Sequence, residues 1–233
     1  MRVLAGRAGR AAVEQKRVND NIYTAPPTAG LATGTGVSAA PAFDPFLPYE
    51  PDMFVADISP THVCLLNKFN VIDHHLLVVT RAFEEQDAAI TAADFAALWA
   101  CMAEVDGLAF YNAGKLAGAS QRHKHLQIVP LPWGTGIGRL PVEEALAVAE
   151  LGNEPLLRTW PYVHAGVLLD PAWSPDVEAA GERLLTKYAA LLRAFDIRTE
   201  GEEFLPPYNL LATRTWMVLV PRRHEVFEGI AVN

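Results

Sequence analysis

Apolar residues recur along the chain in two rhythms. His62–Asn67 and His75–Thr80 are runs of strand length, and the short polar connector 68–74 predicts an adjacent antiparallel pair. Thr91-Ala-Ala-Asp94 has the form of a capping box with Thr91 at the N-cap. Phe95, Leu98, Trp99, Met102 and Val105 follow at helical spacing, one apolar stripe on a helix of about four turns that Gly107 is expected to end. Strand rhythm returns at Leu108–Asn112, and a Gly-rich turn, 113–118, leads into Gly118–Pro130. That stretch is a small-residue loop running into a strand on which His123, His125 and Gln127 alternate. These three side chains are expected to project together while Leu126 and Ile128 face a core.

Downstream, a short helix is expected at about 142–151, and Ser174-Pro175 predicts a helix start, with serine at the N-cap and proline at N1. Leu184, Leu185, Tyr188, Leu191, Leu192 and Phe195 would form its buried stripe. Tyr208–Thr213 and Trp216–Pro221 read as two more strands. They loosely echo the pair at 62–80, down to Thr80-Arg81 in one half and Thr213-Arg214 in the other. Together these elements predict an α+β fold with a mainly antiparallel sheet.

Ahead of them, residues 1–20 are basic, and 24–42 are almost entirely Ala, Pro, Thr, Gly and Ser. So few large apolar groups do not offset ordering entropy, and a flexible linker is expected there. Phe43–Tyr49, aromatic residues between prolines, is expected to lie extended on the surface. The division that follows is an N-terminal segment 1–42, a unit 43–135 carrying the histidines, and a C-terminal portion 136–233.

Composition narrows the field of functions. The 233 residues carry a formal net charge of −8, which disfavours nucleic acid as a partner. No apolar run reaches the ~18 residues of a membrane span, and no apolar segment follows the basic start as in a secretory signal. The two cysteines, Cys64 and Cys101, lack a CxxC partner and read as buried thiols of a cytoplasmic protein. An anionic substrate would need a local positive patch, which Lys115, Arg122 and Lys124 are placed to supply.

A neutral imidazole is a good nucleophile toward phosphorus, with an ordinary pKa of ~6.5. Backbone N–H groups at Gly118 to Gln121, the Ser120 hydroxyl and the Gln127 amide are suitable phosphoryl donors. Lys68, Lys115 or Lys124 could add charge, although Lys124 should point away from His125. An H-x-H pair on a strand is equally a metal-ligand spacing, and either histidine could be structural. His74-His75 reads as structural at a strand entry. The residues alone leave these alternatives open.

Asn67–Thr80, followed by Gly118-Ala-Ser-Gln-Arg-His-Lys-His-Leu-Gln127, resembles the ATP adenylyltransferases, or diadenosine tetraphosphate phosphorylases. These belong to the galactose-1-phosphate uridylyltransferase-like branch of the histidine-triad superfamily. The resemblance runs from about Asp44 to the end, with Tyr208–Pro221 similar to the family's C-terminal portion. It implies a histidine-triad-like sheet with packed helices and a duplicated half, as in the uridylyltransferase branch. It also implies phosphorolysis: His125 takes up AMP from diadenosine tetraphosphate, and phosphate receives it, giving ADP and ATP.

By the same resemblance His123 orients His125, and Gln127, a histidine in the hydrolase branch, contacts phosphate. Ser120 binds phosphate, Asn67 stands at the ribose-binding position, and Asn112 lies near the nucleotide. Lys68, Lys115, Gln121, Arg214 and Met217 complete the candidate substrate-binding set. No metal ligands and no tightly bound cofactor are implied, although Mg²⁺ is compatible with a polyphosphate substrate. The expected partners are small molecules (diadenosine tetraphosphate, ATP, ADP and phosphate), with no nucleic acid or membrane; oligomeric state is left open. Family members extend beyond both ends of this motif set, so the C-terminal portion reads as truncated. A hydrolase releasing AMP, or a nucleotide-binding protein without turnover, is the alternative.

Overall fold

The computed structural model describes residues 44–70, 72–132, 140, 142–143, 162–170, 176–199, 204–227 and 230–231. The linker at 24–42, most of the helix expected at 142–151, the Ser174-Pro175 start and the 135/136 division lie outside them.

Eight strands form one antiparallel sheet: β1 Phe54–Asp57, β2 His62–Leu66, β3 Leu76–Thr80, β4 Gly107–Ala113, β5 His125–Pro130, β6 Ala165–Leu168, β7 Tyr208–Ala212 and β8 Trp216–Pro221, in the spatial order β1-β2-β3-β5-β4-β7-β8-β6. A two-stranded ribbon, β9 Val226–Phe227 with β10 Ile230–Ala231, follows. The helices α1, Ala92–Glu104, and α2, Val177–Arg193, pack together on one face.

Helix α1 begins as its sequence requires. Thr91 accepts from the Asp94 amide at 3.2 Å, and the Asp94 carboxylate accepts from the Thr91 amide at 2.7 Å. Its end differs from expectation. Val105, in extended conformation, terminates the helix, and Gly107 is already the first residue of β4. A Cβ at Gly107 would sit 2.7 Å from the Ile128 side chain, so glycine serves close strand approach there. For α2 the N-cap is Asp176, whose carboxylate accepts from the amides of Glu178 and Ala179, both at 3.1 Å. Where the helices cross, a Cβ at Gly181 would lie 2.5 Å from the Ala92 carbonyl oxygen, so only glycine permits this approach.

The main core lies between helices and sheet. Phe95, Leu98 and Met102 of α1 and Leu184, Tyr188 and Leu191 of α2 cover Val78, Leu126, Ile128 and Leu219. Leu185 and Phe195 of the expected α2 stripe are only partly buried. The opposite sheet face carries two smaller apolar clusters. One is Val63, Leu65, Leu77 and Val79 under Phe46; the other is Leu108, Val129, Trp216 and Val218 with Leu140. Between them runs β5 with His125 and Gln127. Over 44–49 the segment expected on the surface is therefore no surface strap, since Phe46 is buried in this second layer; Phe43 lies outside the described residues.

The sheet contains the same unit twice. β3-α1-β4-β5 has the strand order β3-β5-β4, β6-α2-β7-β8 has β6-β8-β7, and the two meet along β4 and β7. Their registers agree: Val79 lies opposite His125 as Leu168 lies opposite Trp216, and Leu77 opposite Gln127 as Gly166 opposite Val218. Phe110 pairs with Gln127, Leu211 with Val218, and Phe110 with Leu211, so the pseudo-twofold axis passes between the last two. The duplication expected from the sequence is present, but its halves differ from those expected. The counterpart of 208–221 is 107–130, not 62–80. Thr80 ends β3, whereas Thr213 lies in the β7–β8 turn, so the shared Thr-Arg pair has no structural meaning.

Candidate active site

His125 opens β5 at the sheet face away from the helices, and its ring is fully ordered by neighbours. Its Nδ1–H donates to the His123 carbonyl oxygen at 2.8 Å. A carbonyl only accepts, so the proton is on Nδ1 and Nε2 carries a lone pair. The Phe46 ring lies 5.0 Å away, centroid to centroid. Burial lowers the His125 pKa to about 4, against a smaller opposing effect of the His123 carbonyl, with the rings of His123 and His75 adding to the depression. The ring is neutral at physiological pH.

His123 acts on His125 through its backbone, because its own ring is committed elsewhere. Nδ1–H donates to the Asp44 carboxylate at 2.7 Å, and Nε2 lies 2.8 Å from the Thr80 carbonyl and 3.0 Å from the Thr80 hydroxyl. Gln127, also buried, follows His125 on the same face, and beside it stands His75. His74 takes the left-handed turn into β3, with φ 64°, and is exposed; His75 is turned inward onto the site face. His75 thus belongs to the site rather than only to a strand entry. Asn67 Nδ2 donates to His75 Nδ1 at 3.3 Å, which puts the His75 proton on Nε2. That buried Nε2 has no hydrogen-bond partner among the described residues, and burial lowers the His75 pKa, partly offset by Gln127. Asn67 also accepts from the Phe69 amide at 2.9 Å, which shapes the loop after β2.

The loop between β4 and β5 borders a cavity of about 530 Å³ lined by Lys115, Gly118, Ser120, Gln121, Arg122, Glu85 and Asp87 among others. Gly118, at φ 91°, closes the short turn Lys115–Ala117 in a left-handed conformation, its amide donating to the Lys115 carbonyl and the Ala119 amide to the Gly114 carbonyl, so residues 118–122 border this cavity. Residues of the second half hold the loop. Asn209 Nδ2 donates to Asn112 Oδ1 at 2.8 Å and to the Ala117 carbonyl at 2.7 Å, and Arg222 donates to Asn209 Oδ1 at 2.7 Å.

Three expectations about this site are corrected. The basic patch does not form. Lys124 is fully buried under the sheet, its Nζ 2.7 Å from Asp94 and 3.0 Å from Glu84; Arg122 pairs with Glu85. Lys115 is exposed on the cavity rim, and Lys68, beyond Asn67, is paired with Glu50 at 2.7 Å. Arg214 is not at the site: its guanidinium donates to the Met102 and Ala103 carbonyls, capping the C-terminal end of α1. Met217 is wholly buried in the helix-side core, because its position on β8 faces inward. Among the described residues no three His, Cys, Asp or Glu side chains converge on a metal position.

Sequence reasoning missed Asp44, His75 and Gln86. Gln86 is buried in the segment leading to α1 and hydrogen-bonds the backbone of β4 and β5 around His125. No local pattern marks Asp44 or Gln86. Only His75 carried a signal, since it sits at an even spacing from Leu77, which lies opposite Gln127.

Fold and site together define an α+β protein with a neutral, buried histidine on a strand of the sheet face away from the helices, preceded in the chain by a loop that borders a cavity. The chain belongs to the Ap4A phosphorylase family: residues 30–148 match the Ap4A phosphorylase N-terminal domain, and residues 158–233 match the ATP adenylyltransferase C-terminal domain. It is 30% identical over 212 residues to diadenosine 5',5'''-P1,P4-tetraphosphate phosphorylase 2 of Saccharomyces cerevisiae, covering 80% of this chain and 63% of that protein. To Protein APA1 of the same yeast it is 33% identical over 173 residues, 68% of this chain and 53% of that one. The crystal structure of yeast Ap4A phosphorylase Apa2 in complex with AMP superposes with a TM-score of 0.70 at 26% identity, covering 96% of this chain and 81% of that chain. The complex of Apa2 with Ap4A gives 0.63 at 27% identity, over 77% and 64%. The chain thus spans less than two thirds of the length of these two curated relatives.

Proposed function

We propose that the chain is a nucleotidyltransferase that cleaves diadenosine tetraphosphate with phosphate to ADP and ATP, through AMP held on His125. The observation that carries this reading is the fixed tautomer of His125: Nδ1–H is bound to the His123 carbonyl, and the Nε2 lone pair belongs to a ring that stays neutral. The yeast relative named as a diadenosine tetraphosphate phosphorylase, and the yeast Apa2 structure in complex with Ap4A, support the substrate.

In the first step His125 Nε2 attacks a terminal, adenosine-bearing phosphorus. A P–N bond forms, the bond from that phosphorus to its bridging oxygen breaks, and ATP leaves with the electron pair. In the second step an oxygen of inorganic phosphate attacks the same phosphorus, the P–N bond breaks, and ADP leaves as the neutral imidazole is restored. The reverse reaction uses the same adduct.

Charge on the equatorial oxygens is met by the Gln127 amide, the Ser120 hydroxyl and the main-chain amides of Ser120 and Gln121, with Lys115 at the cavity rim. Asn67 and Asn112 orient the nucleoside end, and Asp44 and Thr80 hold the His123 ring so that its carbonyl faces His125. No resident cofactor enters this scheme; Mg²⁺ would arrive with the polyphosphate. The free, buried thiols of Cys64 and Cys101 fit a reducing compartment such as the cytoplasm.

Incubation with labelled diadenosine tetraphosphate in the absence of phosphate should leave acid-labile, base-stable AMP on the protein. The label should be absent from His125→Ala, and added phosphate should release it as ADP. Release as AMP would indicate a hydrolase instead, and tight binding without label would indicate a protein that binds without turnover.

A further inference from the structure

The β4–β5 ladder stops short of the nucleophile. Its last pair is Phe110 opposite Gln127, although the same register continued would bring Tyr111 opposite Leu126 and then Asn112 opposite His125. The strands part there, and the Gln86 side chain occupies the gap. Its Oε1 accepts from the His125 amide at 2.8 Å, and its Nε2 donates to the His125 carbonyl at 3.2 Å and to the Asn112 carbonyl at 3.0 Å. Gln86 is itself held at both main-chain polar atoms: its amide donates to the Arg122 carbonyl at 2.7 Å, and its carbonyl accepts from the Tyr111 hydroxyl. The side chain is 3% exposed.

A carboxamide has the hydrogen-bonding groups of a peptide, with one donor to spare. We infer that Gln86 serves as a surrogate strand segment, satisfying the backbone of His125 where β4 has diverged, and so is a positioning residue for the nucleophile. The divergence itself has a use: beyond Asn112 the chain turns into the loop 114–122, which borders the cavity. A continued ladder would draw that loop against β5. Without Gln86, the parted strands would leave buried backbone donors and acceptors unpaired, a cost the fold would relieve by letting β5 shift. The link from backbone to chemistry is short, because His125 Nδ1 is anchored to the carbonyl of His123, two residues along the same chain.

This inference rests on the function proposed above, so its test has one arm that reads activity and one that does not. In Gln86→Glu the ionised carboxylate still accepts from the His125 amide but donates to neither carbonyl. Protonation restores one donor in the same shape. In the activity arm, kcat of Gln86→Glu at pH 8 should fall about 100-fold with KM within about twofold, the scale of a small misplacement of a reacting group. Lowering the pH to 5.5 should recover at least tenfold of that loss relative to wild type. Gln86→Met, of similar volume and without polar atoms, should lose kcat at both pH values and recover nothing.

In the second arm, ¹⁵N spectra of the labelled histidines in the wild type should show His125 as the single Nδ1–H tautomer. Gln86→Glu at pH 8 should show mixed tautomers that sharpen to the wild-type pattern at pH 5.5. Wild-type kcat and spectra in both variants would overturn the inference, as would loss of near-UV circular dichroism in both variants at every pH, which would make Gln86 structural only. Absence of turnover in the wild type would overturn the functional reading instead, and the spectra would still decide the role of Gln86.

Discussion

His125 Nδ1 lies 2.8 Å from the carbonyl oxygen of His123, and this one contact fixes which nitrogen of the site can react. It joins two alternate residues of one chain segment, so any fold that keeps the segment extended here keeps the tautomer. What the rest of the protein adds is burial. Burial holds the His125 pKa at about 4, below the ordinary ~6.5. Adenylylation, read as ATP release without added phosphate, should therefore be flat from pH 8 to about 5 and half-lost near 4. The same ring affects stability. Between ~6.5 and 4 the unfolded chain binds the extra proton, so the contribution of about 3 kcal/mol is full above ~6.5 and lost as pH falls through 4. Urea titrations of wild type and His125→Ala across that window should differ accordingly.

Phe46 supplies much of this burial, with its ring 5.0 Å from that of His125 and 5.9 Å from that of His123. Phe46→Ala should cost about 3 kcal/mol in urea unfolding, by cavity formation and lost apolar contact. It should also admit water to the ring, so that the acid limb of adenylylation moves upward from 4 toward ~6.5. An unmoved limb would show that the desolvation comes from elsewhere.

Asp94 joins three jobs: it completes the α1 capping box, accepts from His62 Nε2 at 2.9 Å, and pairs with Lys124 at 2.7 Å. Burial would raise its pKa, but His62, Lys124 and the Thr91 amide outweigh burial and hold it at about 2. Asp94→Asn leaves buried Lys124 with only the partly exposed Glu84 as a charge partner and should destabilise the protein by about 3 kcal/mol at pH 7. Because the carboxylate's stabilisation is present above ~4 and lost as pH falls toward 2, the penalty should shrink with acidification. Chemical denaturation at pH 7 and pH 3 checks both parts.

Gln127 is buried one alternation beyond His125, beside His75. Gln127→Ala should lower the rate of adduct formation by about 100-fold with little change in the Kd for diadenosine tetraphosphate, as for removal of one donor to a developing charge. Equal losses in rate and affinity would mean that Gln127 acts on the ground state. Rapid-quench and equilibrium-binding measurements separate the two.

Arg214 reaches the carbonyls of Met102 and Ala103 at the end of α1. Arg214→Ala should cost about 1 kcal/mol of stability and leave KM unchanged. A raised KM would restore it to the substrate-binding set.

The strand and helix rhythms, the α1 cap and the placing of His125 and Gln127 on one face were legible in the sequence, because they depend on residues a few positions apart and on fixed side-chain periods. The tertiary structure alone decided the surroundings. Asp44 and His123 are 79 positions apart, Gln86 and His125 are 39 apart, and Arg214 and Met102 are 112 apart. Such contacts follow from chain closure, which no local pattern records. The duplicated unit shows the division best. β5 and β8 occupy equivalent registers, and each ends in Val-Pro (129–130 and 220–221), yet Trp216 stands where His125 does and Val218 where Gln127 does. Residue identity limits the chemistry to one of the two, since indole and isopropyl offer no lone pair for phosphorus. Only the packing of Phe46, Gln86, His75 and the 114–122 loop around that strand turns it into a site.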